Sequence, residues 1–156
     1  MRFDDRRHRL TLATRRRLDD PMNDVDRVRA SYDAFERGDL DGALAYVADN
    51  VLWEQAQGLP HGGVYRSLHE VRRSVFDPLN RDWWSSFSAL PDEVLDAASE
   101  VVVLGRYRGV AKVTGRALDV PFVHVWTFEH GKARRFRQFL DTAGWNDALA
   151  GSPTGC

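Results

Sequence analysis

The stretch Phe122-Val123-His124-Val125-Trp126-Thr127-Phe128, with Glu129-His130-Gly131-Lys132 and then Phe136-Arg137-Gln138 behind it, decides the architecture of this 156-residue chain. Period-two alternation places Phe122, His124, Trp126 and Phe128 on one face of a strand. The segment 129–132 reads as a tight turn. A second strand over 133–141 then carries Phe136, Gln138 and Leu140 on the face opposite Arg135 and Arg137. If the two strands form a hairpin, Gln138 points inward toward His124.

Working outward, two more strand-like runs, 86–96 and 99–111, precede a strand spanning 116–129 that contains the quoted stretch. An earlier strand is read at Val51-Leu52-Trp53-Glu54-Gln55, and the glycine-rich 58–63 segment reads as a loop. Three helices come first or between. Asn23 or Asp24 caps one whose apolar residues Val25, Val28, Tyr32 and Phe35 recur at helical spacing until Gly38 stops it. Asp39 caps a short second helix with Leu40, Ala43, Leu44 and Val47 on one side, ending at Asp49-Asn50. Ser67 and Glu70 form a capping box before a third, with Leu68, Val71, Val75, Phe76 and Leu79 as its buried stripe. Asn146 to Leu149 adds one further turn. Helices followed by a long antiparallel meander predict an α+β layer fold, with a curved sheet wrapping the apolar face of the helices.

Composition fits one globular domain: 43% of residues are apolar and 29% charged, with a net charge of −1. The domain is read as 23–150, with a basic arm at 1–22 and a short tail at 151–156. Residues 1–20 hold seven Arg against four Asp. The arm reads either as a leader upstream of the domain, with Met22 itself a candidate start, or as a tail for nucleic acid or a partner. Nucleic acid is not an expected partner. A single Cys156 cannot form an internal disulfide, which makes the cytoplasm the expected compartment. No apolar run approaches the roughly 20 residues needed to cross a bilayer, so no membrane is expected.

Several chemistries are excluded by pattern. His69-Glu70-Val71-Arg72-Arg73 opens like a zinc-protease helix but has Arg73 where the second ligand belongs. Neither a phosphate-cradling glycine motif nor a G-x-S-x-G elbow is present. Neither a metal nor a cofactor is expected, and acid–base chemistry or plain binding remains. His124 among aromatics is either a pocket acid/base or a satisfied core histidine, and an inward Gln138 needs partners. Glu54, in Trp53-Glu54-Gln55 beside the loop, is either a general base raised by burial or a surface carboxylate paired with Arg. Asp141 is a candidate acid/base or, by its outward parity, a cap. Trp83 and Trp84 read as packing rather than a base-stacking platform.

Three segments together, Tyr32-Asp33-Ala34-Phe35-Glu36-Arg37-Gly38-Asp39-Leu40-Asp41, Gly62-Gly63-Val64-Tyr65-Arg66 and Phe122-x-His124-x-Trp126-x-Phe128-x-x-Gly131-Lys132 with Phe136-Arg137-Gln138, resemble one known family. It is the SnoaL-like, ketosteroid-isomerase-like branch of the nuclear transport factor 2-like superfamily, over about residues 23–150. The resemblance implies a cone of three helices on a strongly curved, mostly antiparallel sheet, a mostly apolar cavity and a homodimer formed through the sheet. Members include ketosteroid isomerase, polyketide cyclases, limonene epoxide hydrolase, dehydratases and non-catalytic binding modules. Carried over by position, the isomerase's base falls on Gln55, next to Glu54, and its protonated oxyanion donor on His124. Its helix-one tyrosine lies one residue from Tyr32. The decisive last-strand carboxylate of cyclases and of the epoxide hydrolase falls on Gln138.

These residues lead to a first expectation: a hydrophobic carbonyl-type small molecule bound among Trp53, Gln55, Tyr65, Phe122, Trp126, Phe136 and Tyr32. His124 or Glu54 moves a proton while Gln138 and Tyr65 orient an oxygen, in isomerisation, cyclisation or water addition. The alternative is a non-catalytic ligand-binding or dimerisation module. An open pocket of roughly 300 Å³ or more favours the first, and a filled cone the second.

Overall fold

The computed structural model describes residues 22–150. The expected arm, apart from Met22, and the tail lie outside the described residues. Helix α1 (Asp24–Glu36) begins where the Asn23 side chain accepts from the Asp26 amide and ends before Gly38, whose φ of +78° only glycine adopts freely. Asp39 caps α2 (Leu40–Ala43) by accepting from the Gly42 amide.

Strand β1 (Val47–Gln55) starts earlier than the sequence reading had it. Val47 belongs to the sheet, opposite Ala133, and the intervening Asp49 and Asn50 are exposed at an irregularity between Val47 and Leu52. The apolar residue that extended the helical pattern is thus the first rung of a strand. Part of the predicted loop pairs as well: β2 (Gly63–Tyr65) runs antiparallel to β1. The third helix, α3 (Leu68–Val71), is capped by Ser67 as expected, with Glu70 reaching back to the Arg66 amide. It continues as two π-helical stretches, Arg72–Phe76 and Leu79–Trp83, which bury Val75 and Leu79.

Strands β3 (Trp84–Ala97), β4 (Glu100–Ala111), β5 (Ala117–Glu129) and β6 (Lys132–Leu140) form the antiparallel meander. β1 joins it parallel to β6, giving the order β2-β1-β6-β5-β4-β3. The β5–β6 turn holds His130 and Gly131 both at positive φ, the geometry whose twist matches that of the flanking strands. Gly105 in β4 lies opposite Phe122, and a Cβ there would stand 2.3 Å from the Leu90 carbonyl oxygen and 2.6 Å from the Phe122 ring. Glycine therefore lets the Phe122 ring lie across the sheet. The closing segment, α4 (Thr142–Ala150), is a full helix rather than one turn, and its Trp145 packs into the cone. The result is the α+β cone expected, helices against a six-stranded, mostly antiparallel sheet.

Candidate functional site

The concave face of the sheet carries a row of large side chains. His124 lies directly opposite Gln138 across β5–β6, and Trp126 lies opposite Phe136. Through the β1–β6 pairing Trp53 comes beside Phe136, and the two rings stack at 3.8 Å. Tyr32 from α1 closes the row from the helical side, its ring stacked on His124.

The polar groups on this face form one connected network. The Trp126 indole donates to the Tyr32 hydroxyl at 3.1 Å, which is bonded to His124 Nδ1 at 2.5 Å. On the other side of the imidazole, Nε2 is bonded to the Tyr107 hydroxyl. Gln138 donates from Nε2 to that hydroxyl at 2.9 Å, and its Oε1 accepts from the Ala56 amide at 3.0 Å. His124 is 4% and Gln138 6% exposed. Burial lowers the His124 pKa to about 3 and raises those of both tyrosines. The Trp126 and Gln138 hydrogen bonds oppose the rise at Tyr32 and Tyr107 respectively.

Proton counting follows from this neutral state. A neutral imidazole has one N–H and one lone pair, so one tyrosine donates to it and the other accepts from it. The accepting tyrosine already receives a second N–H, from Trp126 or Gln138. Its own O–H is left without an acceptor among the described residues. In either tautomer the network therefore carries one surplus hydroxyl donor.

The network borders a cavity of about 70 Å³. Tyr32, Trp53, Gln55, His124, Trp126, Phe136 and Gln138 line it, with Tyr107, His61 and Trp145. The volume is well below the 300 Å³ mark; aromatic rings fill most of the cone. Phe122 backs the site instead, stacked on the imidazole at 4.0 Å.

Three expected site residues lie elsewhere. Glu54 has the opposite parity to Trp53 and Gln55. It points to the outer face of the sheet, where it accepts from Arg135 Nε at 2.9 Å. It is the surface carboxylate, not a cavity base. Asp141 is exposed and accepts from the Gly144 amide at 3.1 Å, which makes it the cap of α4. Tyr65 does not line the cavity; its hydroxyl donates to the His61 carbonyl at 2.8 Å.

The sequence reading missed Tyr107, His61 and Trp145. Strand parity offered a signal for the first, since Tyr107 shares its face with Val101 and Val103. His61 sits in the 56–62 loop, where no periodicity exists. Among the described residues no group of three or more His, Cys, Asp or Glu is placed to hold a metal ion, and no helix is long and apolar enough to cross a membrane.

A SnoaL-like domain model matches residues 28–136. Among solved structures, a nuclear transport factor 2-like protein from Burkholderia thailandensis E264 is 32% identical, with a TM-score of 0.78, over 82% of this chain and 98% of its own. A protein of the same description and unknown function from Burkholderia pseudomallei K96243 is 36% identical, with a TM-score of 0.74 and the same coverage. TerC, co-crystallised with polyporic acid, is 23% identical with a TM-score of 0.73, over 81% of this chain and 98% of its own. Comparison with curated proteins finds no match.

Proposed function

The chain belongs to the SnoaL-like family, and from that premise we propose that its cavity binds a hydrophobic carbonyl-type small molecule by donating a tyrosine hydroxyl to the ligand's oxygen. The observation that carries this reading is the surplus O–H of the Tyr32–His124–Tyr107 network beside a mostly apolar cavity. A donor held in a water-poor site favours negative charge developing on a carbonyl oxygen. That supports isomerisation, cyclisation or water addition of a substrate whose reacting C–H or double bond is already activated. Among the described residues the cavity lining contains no carboxylate, and an imidazole with a pKa of about 3 is a weak base, so polarisation rather than forceful proton abstraction is the chemistry on offer. TerC's co-crystallisation with polyporic acid is in keeping with a small-molecule occupant of this fold.

The test pairs Tyr107→Phe with Tyr32→Phe, because the His124 tautomer decides which hydroxyl is surplus. Thermal shift is measured against a panel of aromatic ketones, epoxides and steroids. A ketone that stabilises the wild type is expected to bind at least about tenfold more weakly to one of the two variants. Equal affinity for wild type and both variants overturns the reading.

A second reading, ligand binding without turnover, is favoured by the cavity volume of about 70 Å³. As closed, the site takes a head group, and a larger molecule requires lining side chains to move aside. Stabilisation by a ketone with no chemical change in it would decide for this reading.

We also propose that the outer face of the sheet forms a homodimer. Leu95, Val102 and Val125 fall in one cross-strand row, and Leu104, Val123 and Phe139 in the next. Leu95 and Phe139 are both exposed. Such an apolar patch suits a second copy of itself in a two-fold interface. Sedimentation is expected to give a dimer that Phe139→Asp converts to monomer; a monomeric wild type at micromolar concentration overturns this.

A further inference from the structure

We propose that His61 is a second ligand-anchoring donor of the cavity, giving its Nδ1 proton to an acceptor oxygen, and that the ligand is therefore a compact molecule carrying two such oxygens, of dicarbonyl type. This rests on the reading of the cavity as a ligand pocket and adds a second polar pole to it.

His61 is 6% exposed and lines the cavity from the 56–62 loop. Its tautomer follows from its neighbours. The Trp53 indole donates to Gln55 Oε1 at 2.8 Å, which turns the Gln55 amide nitrogen toward His61 Nε2 at 2.9 Å. An amide nitrogen offers only protons, so Nε2 must accept. The ring proton then resides on Nδ1, and Nδ1 is buried with no partner among the described residues. Buried donors in folded proteins are almost always satisfied, which points this one at an acceptor brought by a ligand.

The residue is also held firmly. The Tyr65 hydroxyl grips its carbonyl, and Gly62 brings the chain so close that a Cβ would stand 2.4 Å from the Ala56 carbonyl oxygen. The ring is flanked by Trp83 at 4.7 Å and Trp145 at 5.7 Å. Trp145 in turn lies 5.5 Å from the Tyr107 ring, which connects this pole to the tyrosine network. The Trp145 indole N–H also lacks a partner among the described residues. A ligand with one oxygen would leave one pole unmet; a second oxygen supplies the acceptor that the other pole lacks. Tyr65 and Gln55 are positioning residues in this arrangement.

The experiment compares cyclohexane-1,4-dione with cyclohexanone on the full chain, using histidine side-chain 15N NMR and binding isotherms for wild type and His61→Phe. The wild type is expected to show His61 protonated on Nδ1, with that signal moved by the dione, and to bind the dione about tenfold more tightly than cyclohexanone. His61→Phe, which keeps the ring packing, should bring the two affinities within about twofold of each other, the dione losing more than cyclohexanone. A proton on Nε2, or an equal loss for both probes in the variant, overturns the proposal; the tautomer measurement needs no variant to fold. If cyclohexanone binds the wild type and the dione gains nothing, the role of His61 alone falls. If neither ketone binds, the ligand-pocket reading falls and takes this proposal with it.

Discussion

Trp53→Ala is expected to lower unfolding stability by about 3–5 kcal/mol, the range for truncating a buried aromatic side chain. Trp53 is almost fully buried, stacks on Phe136 at 3.8 Å and meets Trp126 and Phe76 edge-on. The neighbours come from three separate elements, so they cannot collapse together into the space. The change also removes the indole N–H that orients the Gln55 amide, and His61 loses its fixed partner with it. Urea unfolding followed by fluorescence measures the loss, read from the midpoint at an unchanged slope. A loss under about 1 kcal/mol would show that the aromatic cluster is loosely packed.

Acidification is expected to unfold the protein over an interval set by two histidines. Burial lowers the His61 pKa to about 4 and that of His124 to about 3. In the unfolded chain both titrate near the ordinary value of about 6.5. Below that pH the unfolded state binds protons that the folded state refuses, so stability falls as pH falls. Each imidazole contributes a slope of about 1.4 kcal/mol per pH unit, and together about 2.7, until His61 protonates in the folded state near pH 4. Only His124 then drives the loss, down to about pH 3. A domain whose total stability is about 5–15 kcal/mol cannot sustain both slopes for long. Urea midpoints between pH 7.5 and 4.5 test this, and His61→Phe should halve the slope. Stability that stays level from pH 7 to 5 would mean that both imidazoles reach solvent.

The inner row of β5 and β6 was legible because parity alone sets it. Once Phe122, Trp126 and Phe136 are assigned to the core, His124 and Gln138 must face the same way, and the tight turn puts them opposite each other. The sequence reading left both roles of Glu54 open, although its alternation with Trp53 and Gln55 already turns it to the other face of β1. Its true partner, Arg135, arrives through the parallel β1–β6 pairing, a contact between strands some eighty residues apart that no local pattern announces. Tyr107 was hidden for a related reason: a tyrosine on a long strand is ordinary, and only the assembled sheet brings its hydroxyl between His124 and Gln138. Cavity volume was beyond reach, because it is what remains after a dozen rings have settled against one another. Val47 was misplaced because one residue satisfies both the helical stripe and the first rung of a strand.

The parallel contact between β1 and β6 also governs how the molecule is born. Trp53 leaves the ribosome long before Phe136 exists to cover it, and every hydroxyl and imidazole of the network waits on strands β4 to β6, made some fifty residues or more after Trp53. Contacts so distant along the chain are slow to form. A nascent polypeptide halted before residue 132 presents a bare aromatic wall to the cell, and it acquires a pocket only when the final hairpin closes over it.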